Sequence, residues 1–136
     1  MGILIDTNVF IDAENGRFDL THLEKFKHYG EAYISVITMS ELLTGVHLAR
    51  SIGDKIKRTA FVEGILSQIP TLALNDEIAR TYAELCSYFL RSKSNLKRNA
   101  HDLQIAATAI SYGYAVLTSN VDDFQKIPGL QVESPF

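Results

Sequence analysis

The sequence holds one cysteine, no apolar run of membrane-spanning length, no internal repeat and no low-complexity segment. Each absence removes a class of protein. A lone Cys86 can form no internal disulfide and supplies no cysteine-based zinc site. It lies on the apolar side of Ala83-Glu84-Leu85-Cys86-Ser87-Tyr88-Phe89, where it reads as a small buried hydrophobe in a reducing compartment. No run approaches the roughly 18 apolar residues of a membrane span, and Asp6 cuts the first apolar run too early for a signal pattern. The expectation is a cytoplasmic protein with no membrane partner. A net charge of −3 also argues against a protein that coats nucleic acid by neutralising phosphates in bulk.

What is present is 136 residues, 46% of them hydrophobic, enough to bury one core without staples. A single domain over residues 1–136 is expected. Gly2 to Ile5 reads as a buried strand ending at Asp6, and Val9 to Ala13 as a short helix. Leu20 to Tyr29 carries apolar residues at helical spacing and stops at Gly30. Ala32 to Ile37 reads as a second strand, followed by a helix from Thr38 to about Arg50, for which Thr38-Met39-Ser40-Glu41 matches a capping box. A further helix runs from Gly53 to about Gln68, pairing with its predecessor. Leu72-Ala73-Leu74 is a short strand, and Asn75 suits the N-cap of a helix from Asp76 to about Leu90. After a polar, basic loop comes a nearly all-apolar helix from His101 to about Tyr112, a strand over Tyr114 to Thr118, a helical turn after Asn120 and a terminal strand around Leu130 to Val132. This alternation predicts an α/β fold of three layers, with a mainly parallel central sheet of four or five strands.

Three acids stand beside apolar runs: Asp6 after Ile3-Leu4-Ile5, Glu41 before Leu42-Leu43, and Asp102 before Leu103-Gln104-Ile105. A carboxylate held against an apolar core must be paired, protonated or bound to a cation. Each of the three sits at the end of a strand or the start of a helix, and in a parallel α/β sheet those ends share one edge. Converging there, they would form an oxygen-lined site for Mg²⁺ or Mn²⁺. Glu41 also has an ordinary reading as the reciprocal partner of the Thr38 amide in the capping box. Lys55, Lys57 and Arg58 form one basic cluster, read as a solvated face. Arg91, Lys93, Lys97, Arg98 and His101 form another that runs into Asp102, where cations would serve a phosphate substrate.

Four segments, in this order and spacing, resemble the PIN domain family: Asp6-Thr7-Asn8-Val9-Phe10-Ile11-Asp12, Ser40-Glu41-Leu42, Asn99 through Ala109, and Leu117-Thr118-Ser119-Asn120-Val121-Asp122-Asp123-Phe124. The chain looks most like the VapC toxins of toxin–antitoxin pairs. The resemblance covers essentially all of it. It implies a PIN-like fold and a metal-dependent endoribonuclease, with Asp6, Glu41 and Asp102 as catalytic acids and ligands of Mg²⁺ or Mn²⁺. It further implies that Thr7, Asn8 and Thr118 order the site, and that the partners are a VapB-like antitoxin and a second copy in a homodimer. From their place beside Asp102, Lys93, Lys97 and Arg98 are expected to grip the backbone of an RNA substrate. The family often has Asp where this chain has Asn120; Asn120 and Asp123 are therefore candidate additional ligands.

Two rivals remain on sequence grounds. A phosphatase with an aspartyl nucleophile would want a second acid two residues after Asp6, and Asn8 stands there. A PIN-like RNA- or protein-binding module with weak or no catalysis is made conceivable by Asn120.

Overall fold

The computed structural model describes residues 1–92 and 100–136. Strand β1 (Gly2–Ile5) is buried along its whole length because it is paired on both sides and covered on both faces. Strand β2 (Glu31–Ser35) flanks it on one side and β4 (Ala115–Leu117) on the other, with registers Ile3↔Ala32 and Ile3↔Ala115. Beyond these lie β3 (Thr71–Leu72), next to β2, and β5 (Val132–Glu133), next to β4. The order is β3-β2-β1-β4-β5, and every pairing is parallel. The chain thus winds outward from β1 to β3, then returns to wind the other way from β4.

Alternation along the central strands sorts the core into two layers. Ile3, Ile5 and Leu117 point to one face, where they meet α1 (Thr7–Glu14), α2 (Val36–His47) and α3 (Ile52–Gln68) through Phe10, Leu42, Val46, Val62 and Ile65. Leu4 and Val116 point to the other, against α4 (Asp76–Arg91), α5 (Ala100–Tyr112) and α6 (Val121–Phe124) through Ile78, Leu85, Ile105 and Phe124. Helix α5 is buried over most of its girth, as its apolar composition predicts, because it lies between the sheet and α4; Ala106, Ala107 and Ala109 permit that close approach. Asn75 caps α4, accepting from the Ile78 amide at 2.9 Å.

Two local expectations are corrected. Leu20–Tyr29 is a 3-10 segment, not an α-helix; its apolar residues Leu20, Leu23, Phe26 and Tyr29 recur every third residue, which matches the three-residue turn and lays them all on the core. Helix α2 begins at Val36, two residues before Thr38. Its cap is Ser35, whose hydroxyl accepts from the Ile37 amide at 3.0 Å, so Thr38 and Glu41 form no capping box. In the basic cluster of α3, Arg58 is more than a solvated charge: its guanidinium donates to the Gly45 carbonyl at 2.9 Å and lies 3.8 Å from Glu14.

Candidate active site

The carboxyl ends of β1 and β4 lie side by side where the winding reverses, and the Asp6 amide donates to the Leu117 carbonyl at 2.9 Å across them. Such a reversal opens a crevice beyond the strand ends. Asp6, Thr7 and Asn8 are delivered to it by β1, Thr118, Ser119 and Asn120 by β4, and Thr38 and Glu41 by the first turns of α2.

Asp6 is only 3% exposed. It is the N-cap of α1, with Oδ1 accepting from the Thr7 amide and Oδ2 from the Thr118 hydroxyl, each at 2.8 Å. Those bonds favour the carboxylate, yet burial outweighs them, and the negative charges of Asp102 and Glu41 add to its effect, so the Asp6 carboxyl is pushed up to about 6. Asp102 and Glu41 are therefore both close enough for their charge to act on Asp6.

Hydroxyls and amides hold this arrangement. Thr7 Oγ1 donates to Glu41 Oε1 at 2.8 Å and stands 3.0 Å from Thr38 Oγ1. A hydroxyl has a single proton, so with the Thr7 proton on Glu41 the buried Thr38 hydroxyl is the donor between the two threonines. Thr118 Oγ1 donates to Asp6 while accepting from the Asn120 amide at 2.9 Å and from Asn8 Nδ2 at 3.3 Å. Asn8 Oδ1 accepts from the Ser119 amide at 3.0 Å, which fixes the orientation of the Asn8 side chain. Asn120 Nδ2 donates to Asp123 Oδ2 at 3.0 Å, so those two residues form a pair at the margin of the site.

Three contacts were not foreseen. Ser119 Oγ donates to Asp12 Oδ2 at 2.5 Å, and Arg17 lies 3.6 Å from the same carboxylate. Asn8 and Asp12 are four residues apart on α1, a spacing that puts both on one helix face and could have marked them as joint anchors of the loop after β4. The third is His101, whose Nδ1 lies 3.5 Å from Glu41 Oε2. Lys93, Lys97 and Arg98 lie outside the described residues.

The donor set is all oxygen, with two further acids raising the Asp6 carboxyl. Among the described residues no three His, Cys, Asp or Glu side chains gather closely enough to enclose an ion by themselves. The oxygen donors themselves suit Mg²⁺ or Mn²⁺, hard cations of which Mg²⁺ keeps several waters and is bound through one or two carboxylates. The residues present fit a hydrated divalent cation.

A parallel sheet that gathers acids where its winding reverses defines the class, and residues 3–130 match the PIN domain family: the chain belongs to that family. Within it the chain is similar to Ribonuclease VapC1 of Rickettsia felis, with 39% identity over 97% of this chain and 95% of that one. It is also 30% identical, over 74% of its length and 72% of the relative's, to the tRNA(fMet)-specific endonuclease VapC of Salmonella typhimurium. Among solved structures, VapBC2 of Rickettsia felis bound to a promoter DNA fragment superimposes with a TM-score of 0.87 at 26% identity, covering 98% of both chains.

Proposed function

We propose that this chain is the toxin of a VapBC-type pair, a metal-dependent endoribonuclease that hydrolyses phosphodiester bonds in tRNA or rRNA. The observation that carries the reading is the Asp6 carboxyl, nearly enclosed by protein and raised to about 6 by burial with Asp102 and Glu41 acting in the same direction. A divalent cation relieves that repulsion, and PIN-family relatives named as ribonucleases supply the reaction class.

In this reading Asp6 and Asp102 hold Mg²⁺ or Mn²⁺, and Glu41, with Asn120 or Asp123, orients water. Bound there, the cation supplies Lewis-acid polarisation of the scissile phosphate and activation of the attacking water. The protein's own part is preorganisation. The Thr118 hydroxyl and Thr7 amide fix both oxygens of Asp6, Thr7 fixes one oxygen of Glu41, and Asn8 clamps the loop that carries Thr118. Asn120 in place of an acid removes one negative charge and favours one tightly held ion over two. Lys93, Lys97 and Arg98 hold the RNA backbone. A VapB-like antitoxin, a homodimer and a cytoplasmic location belong to the same proposal; among the described residues no helix is long and apolar enough to cross a membrane.

The test compares RNA cleavage by wild type, Asp6→Ala and Asp102→Ala with Mg²⁺, with Mn²⁺ and with EDTA. Discrete cleavage by wild type that disappears in EDTA and in both variants is expected. Either variant cutting at the wild-type rate would refute the assignment, and a wild type that neither binds Mn²⁺ nor cuts RNA would favour the binding module.

A further inference from the structure

Glu41 comes from α2 and Asp102 from α5, so orienting water beside a cation on Asp102 requires the Glu41 carboxylate to be aimed at a different helix from its own. A free glutamate has three side-chain torsions to fix before its carboxylate is aimed. One oxygen is already fixed: Thr7 Oγ1 holds Oε1 at 2.8 Å. The other, Oε2, lies 3.5 Å from Nδ1 of His101, the residue that precedes Asp102 in the first turn of α5.

We propose that His101 is a positioning residue that tethers the Glu41 carboxylate to the turn of α5 carrying Asp102. The inference rests on the proposed cation site and names a residue that sets its geometry. Two features of the contact suit this role. A separation of 3.5 Å is longer than the 2.7–3.2 Å of a fully formed N–H···O hydrogen bond, so the imidazole N–H dipole steers Oε2 while leaving its lone pairs open to the water that Glu41 orients. With the proton on Nδ1 the ring is also a donor toward Oε2 whether neutral or charged, so the tether needs no particular charge state.

Residues that orient metal ligands from behind contribute about 10- to 100-fold in metal affinity. Mn²⁺ binding to the whole protein, followed by calorimetry or by the electron-spin signal of free Mn²⁺, reads this directly. Steady-state RNA cleavage is measured alongside. For His101→Ala, affinity for Mn²⁺ should fall about tenfold or more, kcat should fall at subsaturating Mn²⁺, and KM for RNA should stay constant. His101→Gln, which keeps a donor at similar reach, should recover most of the loss. His101 is about half exposed, and unchanged thermal unfolding in EDTA shows that both variants are folded. Wild-type Mn²⁺ affinity in His101→Ala would overturn the proposal. So would a rise in KM alone, which would place the imidazole on the RNA. The two readings fail separately: His101-dependent Mn²⁺ binding without any cleavage would sink the ribonuclease and keep the tether, whereas Asp6-dependent cleavage with no role for His101 would do the reverse.

Discussion

Asp6→Asn should make the metal-free protein more stable at neutral pH while abolishing its proposed activity. An acid whose carboxyl is raised on folding is penalised in its charged form, so the native state binds the extra proton and stability falls as pH rises. At about 1.4 kcal/mol per pH unit, a displacement from 3.8 to about 6 amounts to about 3 kcal/mol, lost progressively between pH 4 and pH 6. Asparagine removes that penalty but disturbs one bond. Thr118 Oγ1 now donates to Asp6 Oδ2 and already accepts from Asn120 and Asn8, so an amide nitrogen in that place would meet an acceptor without a vacancy. That penalty is already net of the charge-assisted bond, so only the bond of the neutral acid is lost, at about 1 kcal/mol, leaving a net gain of about 2 kcal/mol at pH 7.5. The cleaner quantity is the difference between wild type and variant, because every titrating group that does not interact with Asp6 cancels. In EDTA that difference should swing by about 3 kcal/mol in favour of the variant from pH 4 to pH 7.5, measured by urea unfolding at fixed ionic strength. A difference that is flat with pH, or that swings toward wild type, would show that burial and the neighbouring acids do not dominate at Asp6. Saturating Mn²⁺ should reverse the ranking, because only wild type gains binding energy from it.

Asn120→Asp exchanges the donor to Asp123 Oδ2, now at 3.0 Å, for a second carboxylate. In EDTA it should destabilise by about 1 to 2 kcal/mol, and titrating Mn²⁺ into the unfolding assay should erase the difference; a loss unaffected by Mn²⁺ would place this pair outside the cation's reach. Gly30→Ala tests the opposite end of the sheet. Gly30 has φ +103°, and an added Cβ would sit 2.5 Å from the Met1 carbonyl oxygen. A loss of about 2 kcal/mol or more is expected, with cleavage per folded molecule unchanged; reduced activity in fully folded protein would contradict the separation of that edge from the site.

Much of the fold was legible because its signals are local. Gly2–Ile5 reads as a fully buried strand from composition alone, and the all-round apolar pattern of α5 announces a helix covered on both sides. Asp6 was legible as a candidate for a related reason: a carboxylate directly after a buried strand has few bland explanations. What escaped the sequence depends on competition between neighbours. Both Ser35 and Thr38 are good caps for α2, and only Thr38 is followed three residues later by Glu41. Tertiary structure decides for Ser35. Pairing of Ile34 with Thr71 and of Ser35 with Leu72 ends the strand there and starts the helix early. Glu41 thereby loses its local partner. The 3-10 form of Leu20–Tyr29 is written in the strict period of three of Leu20, Leu23, Phe26 and Tyr29; an α-helix alternates steps of three and four.

The displaced cap matters for more than the boundary of α2. Had Thr38 been the N-cap, its hydroxyl and the Glu41 carboxylate would both have been spent on backbone amides, a satisfied and chemically inert arrangement. With Ser35 capping, Thr38 enters the first turn of the helix, is fully buried, and turns its hydroxyl to Thr7. Glu41 follows one turn further and receives the Thr7 proton. The same three-residue step that builds a capping box therefore builds one wall of the site, with Thr7 in the role that backbone amides would otherwise have taken. Because Thr7 also supplies the amide that donates to Asp6 Oδ1, a single residue couples the acid after β1 to the acid on α2. A change in where α2 starts would break that coupling without touching either carboxylate.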